Sequence, residues 1–194
     1  AETWVGNGQP GQGGLIRNIT TYPTTPLTYF TATFGSGVYR STDDAASWVP
    51  VNAGLTNRRV YTVRATSTTL WAATDGAGVF RSSASNALTG SASWQPFNAG
   101  LNCTTVRTLN FPSAANLPNT VYAGTGCGVN SGVYRTSGGG SWTQLNTGTN
   151  GMPNNLTVYS ISSSSTGQTL RVATDGNGIY RSTDGGANWV PANG

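Results

Sequence analysis

An all-β fold, a β-propeller of four four-stranded antiparallel blades, is what this sequence predicts, and three observations lead to it. Tryptophan recurs at Trp4, Trp48, Trp94, Trp142 and Trp189, with gaps of 44, 46, 48 and 47 residues. A period in the mid-forties, with several short strands per unit, is the sequence signature of propeller blades. A tetrad of glycine, aliphatic, aromatic and arginine precedes four of those tryptophans: Gly37-Val38-Tyr39-Arg40, Gly78-Val79-Phe80-Arg81, Gly132-Val133-Tyr134-Arg135 and Gly178-Ile179-Tyr180-Arg181. Composition is the third observation. With 36% hydrophobic residues, 8% charged and 27 glycines in 194 residues, the chain suits many short strands joined by tight turns.

The strands follow in order within each unit. The first centres on Ile16-Arg17-Asn18-Ile19, Val60-Tyr61-Thr62-Val63, Val106-Arg107-Thr108-Leu109 and Val158-Tyr159-Ser160-Ile161, where recurring apolar residues mark one buried face. The second runs over 28–33, 70–74, 120–125 and 170–174, and small residues near its end let neighbouring sheets approach. The glycine-led tetrad is the third strand. The fourth opens at the tryptophan, and Pro50, Pro96 and Pro191 two residues later suit an outer edge that needs no donor on one side. The blades therefore span about 15–52, 60–98, 106–146 and 158–192 of a single domain, 1–194.

The turns between third and fourth strands carry a family resemblance. Ser41-Thr42-Asp43-Asp44-Ala45-Ala46-Ser47-Trp48 and Ser182-Thr183-Asp184-Gly185-Gly186-Ala187-Asn188-Trp189 resemble the Asp-box, the bacterial neuraminidase (BNR) repeat S-x-D-x-G-x-[TS]-W. Thr136 to Trp142 is a shortened copy and Ser82 to Trp94 a copy with an insertion. Ala45 stands at the family's glycine and Asn188 at its Ser/Thr. The blades are similar to those of xyloglucanase-like, photosystem II assembly-factor-like and sialidase-type propellers. A carboxylate and a hydroxyl in a tight turn accept hydrogen bonds from exposed backbone amides. Tryptophan buries a large area against neighbouring sheets. Asp43, Asp184, Trp48, Trp94, Trp142 and Trp189 are accordingly read as structural.

Trp4 lies 12 residues ahead of Ile16, the spacing that also separates Trp48 from Val60 and Trp94 from Val106. Residues 3–7 are thus a spare fourth strand, since the last blade already has one at Trp189. Three explanations stand: a fragment of a longer propeller, a chain that pairs with its own copies, or a redundant outer strand. An unpaired strand edge recruits other chains, so self-association or another protein is the expected partnership.

The charge of +4 comes from ten arginines, with no lysine and no histidine. They are spread along the chain without a basic stripe, which argues against nucleic acid. No apolar run approaches the roughly 18–20 residues that span a bilayer, so membrane insertion is not expected. Cys103 and Cys127 allow one disulfide and, with the Ser/Thr/Gly-rich composition, point to a secreted or cell-surface protein.

Loops between second and third strands share a face with those joining successive blades. That face collects Asp75 and Asp175 with Arg58, Arg59, Cys103, Cys127 and Asn154, while the innermost strand adds an alternation of Arg17, Tyr61, Arg107 and Tyr159. Such a mouth can hydrogen-bond to and stack on a sugar, so these six are the candidate ligand-binding residues and a glycan is a candidate ligand. The plainer reading is that the aspartates hold their turns and the arginines fill or solvate the channel.

Catalysis has little to build on. Glycosidases of the usual kind need two carboxylates about 5–5.5 Å or 6.5–9.5 Å apart. The acids are Glu2, Asp43, Asp44, Asp75, Asp175 and Asp184, and removing turn residues leaves only Asp75 and Asp175 as a pair. Lack of histidine removes the commonest general base and metal ligand. The expectation is a non-enzymatic protein without cofactor or metal, the alternative a fragment of a glycoside hydrolase. Asn18, Asn102 and Asn155 sit in glycosylation sequons, which matter only in a eukaryotic secretory host.

Overall fold

The computed structural model describes residues 15–24, 27–112 and 120–193. Among the described residues sixteen strands form four antiparallel sheets of four, each in simple chain order. The first holds β1 (Leu15–Tyr22), β2 (Thr28–Phe34), β3 (Gly37–Ser41) and β4 (Val49–Pro50). The second holds β5 (Val60–Ala65), β6 (Thr69–Thr74), β7 (Val79–Ser83) and β8 (Gln95–Pro96), with a short helix α1 (Ala84–Leu88) in the inserted segment. The third comprises β9 (Val106–Asn110), β10 (Val121–Thr125), β11 (Val133–Thr136) and β12 (Thr143–Gln144). The fourth comprises β13 (Val158–Ser163), β14 (Leu170–Thr174), β15 (Ile179–Ser182) and β16 (Val190–Pro191). The all-β expectation of four four-stranded blades is met. Each fourth strand starts one residue past its tryptophan and is only two residues long. The spare strand at 3–7 lies outside the described residues.

The chain packs as two compact units, one of 1–74 with 79–97 and one of 75–78 with 98–194. In the first unit β5 packs on β1 and β2, burying Phe30, Ala32, Val38 and Val63. In the second, Tyr122, Val133 and Leu145 of the third blade share a core with Val158, Ile161, Val172, Tyr180 and Trp189 of the fourth. The small residues that end the second strands set this spacing. A Cβ on Gly124 would come within 2.7 Å of Val158.

The repeat tryptophan docks by its backbone as well as its ring. The Trp94 amide donates to Ala53 O at 2.9 Å, that of Trp142 to Ala99 O at 2.8 Å and that of Trp189 to Asn150 O at 2.8 Å. The tryptophan carbonyls come so close to the same loops that a Cβ at Gly54, Gly100 or Gly151 would sit 2.3, 2.2 or 2.0 Å from them. Only glycine admits that approach. The indole N–H of Trp94 donates to Val51 O at 2.6 Å and that of Trp189 to Leu145 O at 3.4 Å, each on the preceding blade. Trp94, Trp142 and Trp189 are buried, whereas Trp48 is only half-buried.

An asparagine after the fourth strand ties each blade internally, a role the sequence reading did not assign. Asn52, Asn146 and Asn193 accept the amides of Val38, Val133 and Ile179 through Oδ1 at 2.7, 2.8 and 2.6 Å. Asn98 donates to Ala77 O at 3.0 Å. The tetrad's glycine makes room for it, because a Cβ on Gly37 would lie 2.2 Å from Asn52 Oδ1.

Trp189→Ala is expected to destabilise by about 3–5 kcal/mol, as deleting a buried aromatic from a core does. Trp48→Ala is expected to cost clearly less, because half-exposed area is lost. Chemical denaturation of both variants checks this; equal losses would mean Trp48 is packed as fully as Trp189.

Candidate functional site

Arg17, Tyr61, Arg107 and Tyr159 occupy one structural position repeated four times. Each is the extra residue of a register shift in the first strand of its blade: Ile16 pairs with Thr33 and Asn18 with Ala32, skipping Arg17. Tyr61, Arg107 and Tyr159 are skipped in the same way. A bulge leaves one residue outside the alternation of faces and re-aims its side chain. The sequence showed the Arg/Tyr alternation but not its cause.

The side chains meet in pairs within each unit. The Arg17 guanidinium lies 5.7 Å from the Tyr61 ring centroid and 4.8 Å from that of Phe34. Arg59 lies 4.4 Å over the same Phe34 ring, and Phe34 and Tyr61 are tilted at 5.1 Å. In the second unit the Arg107 guanidinium lies 5.2 Å over Tyr159. Each contact of this kind contributes about 0.5–2 kcal/mol, more when water is excluded. Stacking uses the face of the guanidinium and leaves its N–H edge to meet carboxylate or hydroxyl oxygens. Phe34 was missed from sequence, whereas Arg59 was placed on this face. The signal was positional: Phe34 follows Thr33 where Asp75, Gly126 and Asp175 follow Thr74, Thr125 and Thr174.

Asp75 is half-buried and bridges to Thr105, whose hydroxyl donates to Asp75 Oδ1 at 3.4 Å. Asp175 is exposed, and its amide donates to Thr157 O at 2.9 Å. Both loops therefore contact the segment leading into a first strand, as do Gly35 with Arg58 and Gly76 with Thr104. The disulfide closes the same kind of contact covalently. Cys103 and Cys127 are bonded, with Cα atoms 5.9 Å apart across a sequence separation of 24. A loop of that size contributes about 3 kcal/mol in the chain-entropy picture. Asn18, one of the sequon residues, is engaged: its Oδ1 accepts the Val63 amide at 2.7 Å. Among the described residues no three His, Cys, Asp or Glu side chains converge on one point. No helix among them is long and apolar enough to cross a membrane.

The S-x-D turns are self-contained. Asp184 accepts from the Ser182 hydroxyl at 2.8 Å, the Asn188 amide at 2.9 Å and Asn188 Nδ2 at 2.8 Å. Asp43 accepts from the Ser41 hydroxyl at 2.7 Å and from the Ser47 amide at 2.9 Å, with the Ser47 hydroxyl on its other oxygen. Asn188 thus supplies through its amide what Ser47 supplies through its hydroxyl. These bonds, the side chains of Ser47 and Asn188 foremost, hold both carboxylates down to about 2. Beside Asp43, Asp44 accepts the Tyr29 phenol at 2.8 Å, and this bond pushes the phenol up. Asp44 and Ala45 take φ of 55° and 65°, where the other turn places Gly185 and Gly186.

No family model matches the chain, and no curated protein matches it in sequence. Solved structures do. An ancestral GH74 enzyme superposes on 96% of the chain with a TM-score of 0.72 at 23% identity. YCF48 bound to D1 peptide covers 94% at a TM-score of 0.59 and 14% identity. The extracellular domain of a one-component system from B. thetaiotaomicron covers 79% at 0.57 and 18% identity. The chain spans 25% of the GH74 enzyme, 55% of YCF48 and 19% of the third. At these identities the likeness establishes the β-propeller fold and nothing finer.

A carboxylate whose folded pKa is depressed contributes stability that is full above its ordinary value near 4 and is lost as pH falls through about 2. Wild-type melting temperature is therefore expected to drop between pH 4 and pH 2, and Asp184→Asn to flatten that drop while lowering stability at pH 7. An unchanged acid limb in the variant would remove Asp184 from the account.

Proposed function

We propose that the chain is a non-enzymatic, exported interaction module that works in adhesion, assembly or glycan recognition. The observation that carries this reading is the repeated Arg–Tyr stack, Arg17 on Tyr61 and Arg107 on Tyr159, set at bulges where the side chains leave the blade's packed faces. Aromatic faces suit sugar rings, and guanidinium edges suit hydroxyls and carboxylates, so Arg17, Tyr61, Asp75, Arg107, Tyr159 and Asp175 are the ligand-binding set. The turn hydrogen bonds of Asp43 and Asp184 support the Asp-box relationship. The disulfide, and an extracellular domain among similar structures, support a place outside the cell. A similar propeller bound to a peptide supports protein recognition as one use of such a module. Self-association through the segment at 3–7 is part of the same reading.

The second reading, a fragment of a xyloglucanase-like or sialidase-like hydrolase, is favoured by the GH74 enzymes among similar structures. A glycan panel separates the two. Retention without release of reducing sugar is expected, weakened by Arg107→Ala and Tyr159→Ala. Turnover that is lost in Asp75→Asn or Asp175→Asn would establish the hydrolase instead.

A further inference from the structure

The repeat offers one arginine position twice, filled in the first pair of blades and open in the second. Arg40 ends the glycine-led tetrad of the first blade, and Arg135 is its counterpart in the third. Each lies by the turn between third and fourth strands of the blade that follows. In the second blade eleven residues separate Ser82 from Trp94 there, whereas in the fourth only six separate Ser182 from Trp189. The longer connection folds as α1 and comes down on the arginine. Arg40 donates through Nη1 to the carbonyl of Leu88, the last residue of that helix, and a Cβ on Gly90 would stand 3.4 Å from Arg40 Nη2. Ala84, Ala87 and Ala92 of the same segment are buried. The last carbonyls of a helix have no partner within it, so the guanidinium supplies one.

The shorter turn leaves that volume open. A groove of about 410 Å³ runs between the third and fourth blades, inside the second compact unit, with Arg135, Gln144, Thr147 and Asn150 along it and Gly185-Gly186 on its turn side. Its size falls within the range of about 300–1,000 Å³ that ligand sites occupy. A Cβ added at Gly185 would stand 3.8 Å from Arg135 Nη1, so the guanidinium faces bare backbone. Charge and shape choose the occupant. Asp184 lines the same groove and stays ionised down to about pH 2, so a free anion would meet a carboxylate beside the guanidinium. A neutral carbonyl avoids that repulsion and still gains a charge-assisted hydrogen bond. Among the described residues no aromatic ring lines the groove, so a sugar finds no face to stack on. We propose that this groove is a peptide-binding site, which takes a turn or helix end of a partner protein, small-residue in composition, with a backbone carbonyl on Arg135. The chain's own segment 83–93, seated on Arg40, is the template for it. The site is separate from the Arg17–Tyr61 and Arg107–Tyr159 stacks and does not rest on them.

NMR titration of the isotope-labelled full chain with a synthetic peptide of sequence 83–93, Ser-Ala-Ser-Asn-Ala-Leu-Thr-Gly-Ser-Ala-Ser, tests it. A free segment of this length holds little helix in water, so weak, fast-exchanging binding is expected, with saturable shifts at Arg135, Gln144, Thr147, Asn150 and 185–187. Arg135→Met keeps the aliphatic stem and removes the guanidinium, and is expected to weaken binding roughly tenfold, the scale of one hydrogen bond to a charged group. Ala187→Trp fills the groove from an exposed position and leaves Arg135 in place, and is expected to abolish the shifts. Absence of saturable shifts at the groove overturns the proposal, as does binding that survives both substitutions. Groove shifts produced by a neutral oligosaccharide and not by the peptide overturn it in favour of a sugar site, and groove shifts produced by acetate and not by the peptide in favour of an anion site.

Discussion

The tryptophan handover between consecutive segments is the constraint on which the rest depends. Its amide and carbonyl are both engaged by the loop that follows the previous fourth strand, at Ala53-Gly54, Ala99-Gly100 and Asn150-Gly151. Fourth strands of two residues have too little ladder to hold themselves. Anchoring their first residue to a neighbour fixes them, and it also fixes where the ring enters the core. Within each unit the placed ring commits the facing sheets to one another, the second blade on the first through Trp94 and the fourth on the third through Trp189. The bulge in the first strand then releases one residue from both faces.

That release takes Arg17, Tyr61, Arg107 and Tyr159 out of the alternation of faces. A residue in register would be buried between blades or left at the rim. Arg17 instead lies on Phe34 of its own blade and Tyr61 of the next, and Arg107 on Tyr159 of the next. The S-x-D turns hold their carboxylates within themselves. Their carboxylates are saturated by local donors, which is why they stay ionised down to about pH 2 and why they serve the turn.

The blade count, the strand order and the disulfide were legible because each is written in local pattern: a spaced tryptophan, a glycine-led tetrad, two cysteines on neighbouring loops. The candidate residues Arg17, Tyr61, Arg107 and Tyr159 were legible as an alternation. The bulge that aims them was not, because register belongs to a pair of strands and only one is visible in a local window. Asn52, Asn146 and Asn193 were missed for a related reason, since each clamps a turn 13 to 14 residues back in the chain. Phe34 hid behind a non-matching residue type at a matching position. Trp48 shows the opposite failure: its motif matches, yet its ring is only half-buried.

Proton exchange of the tryptophan indoles tests the handover most directly. The Trp94 and Trp189 indole N–H groups donate to buried carbonyls of the preceding blade, so they should exchange slowly, close to the rate of global opening. Trp48 should exchange far faster. NMR detection of indole exchange in the native protein would contradict the account if Trp94 and Trp189 exchanged as fast as Trp48, because the tryptophans would then not be locking one blade to the next.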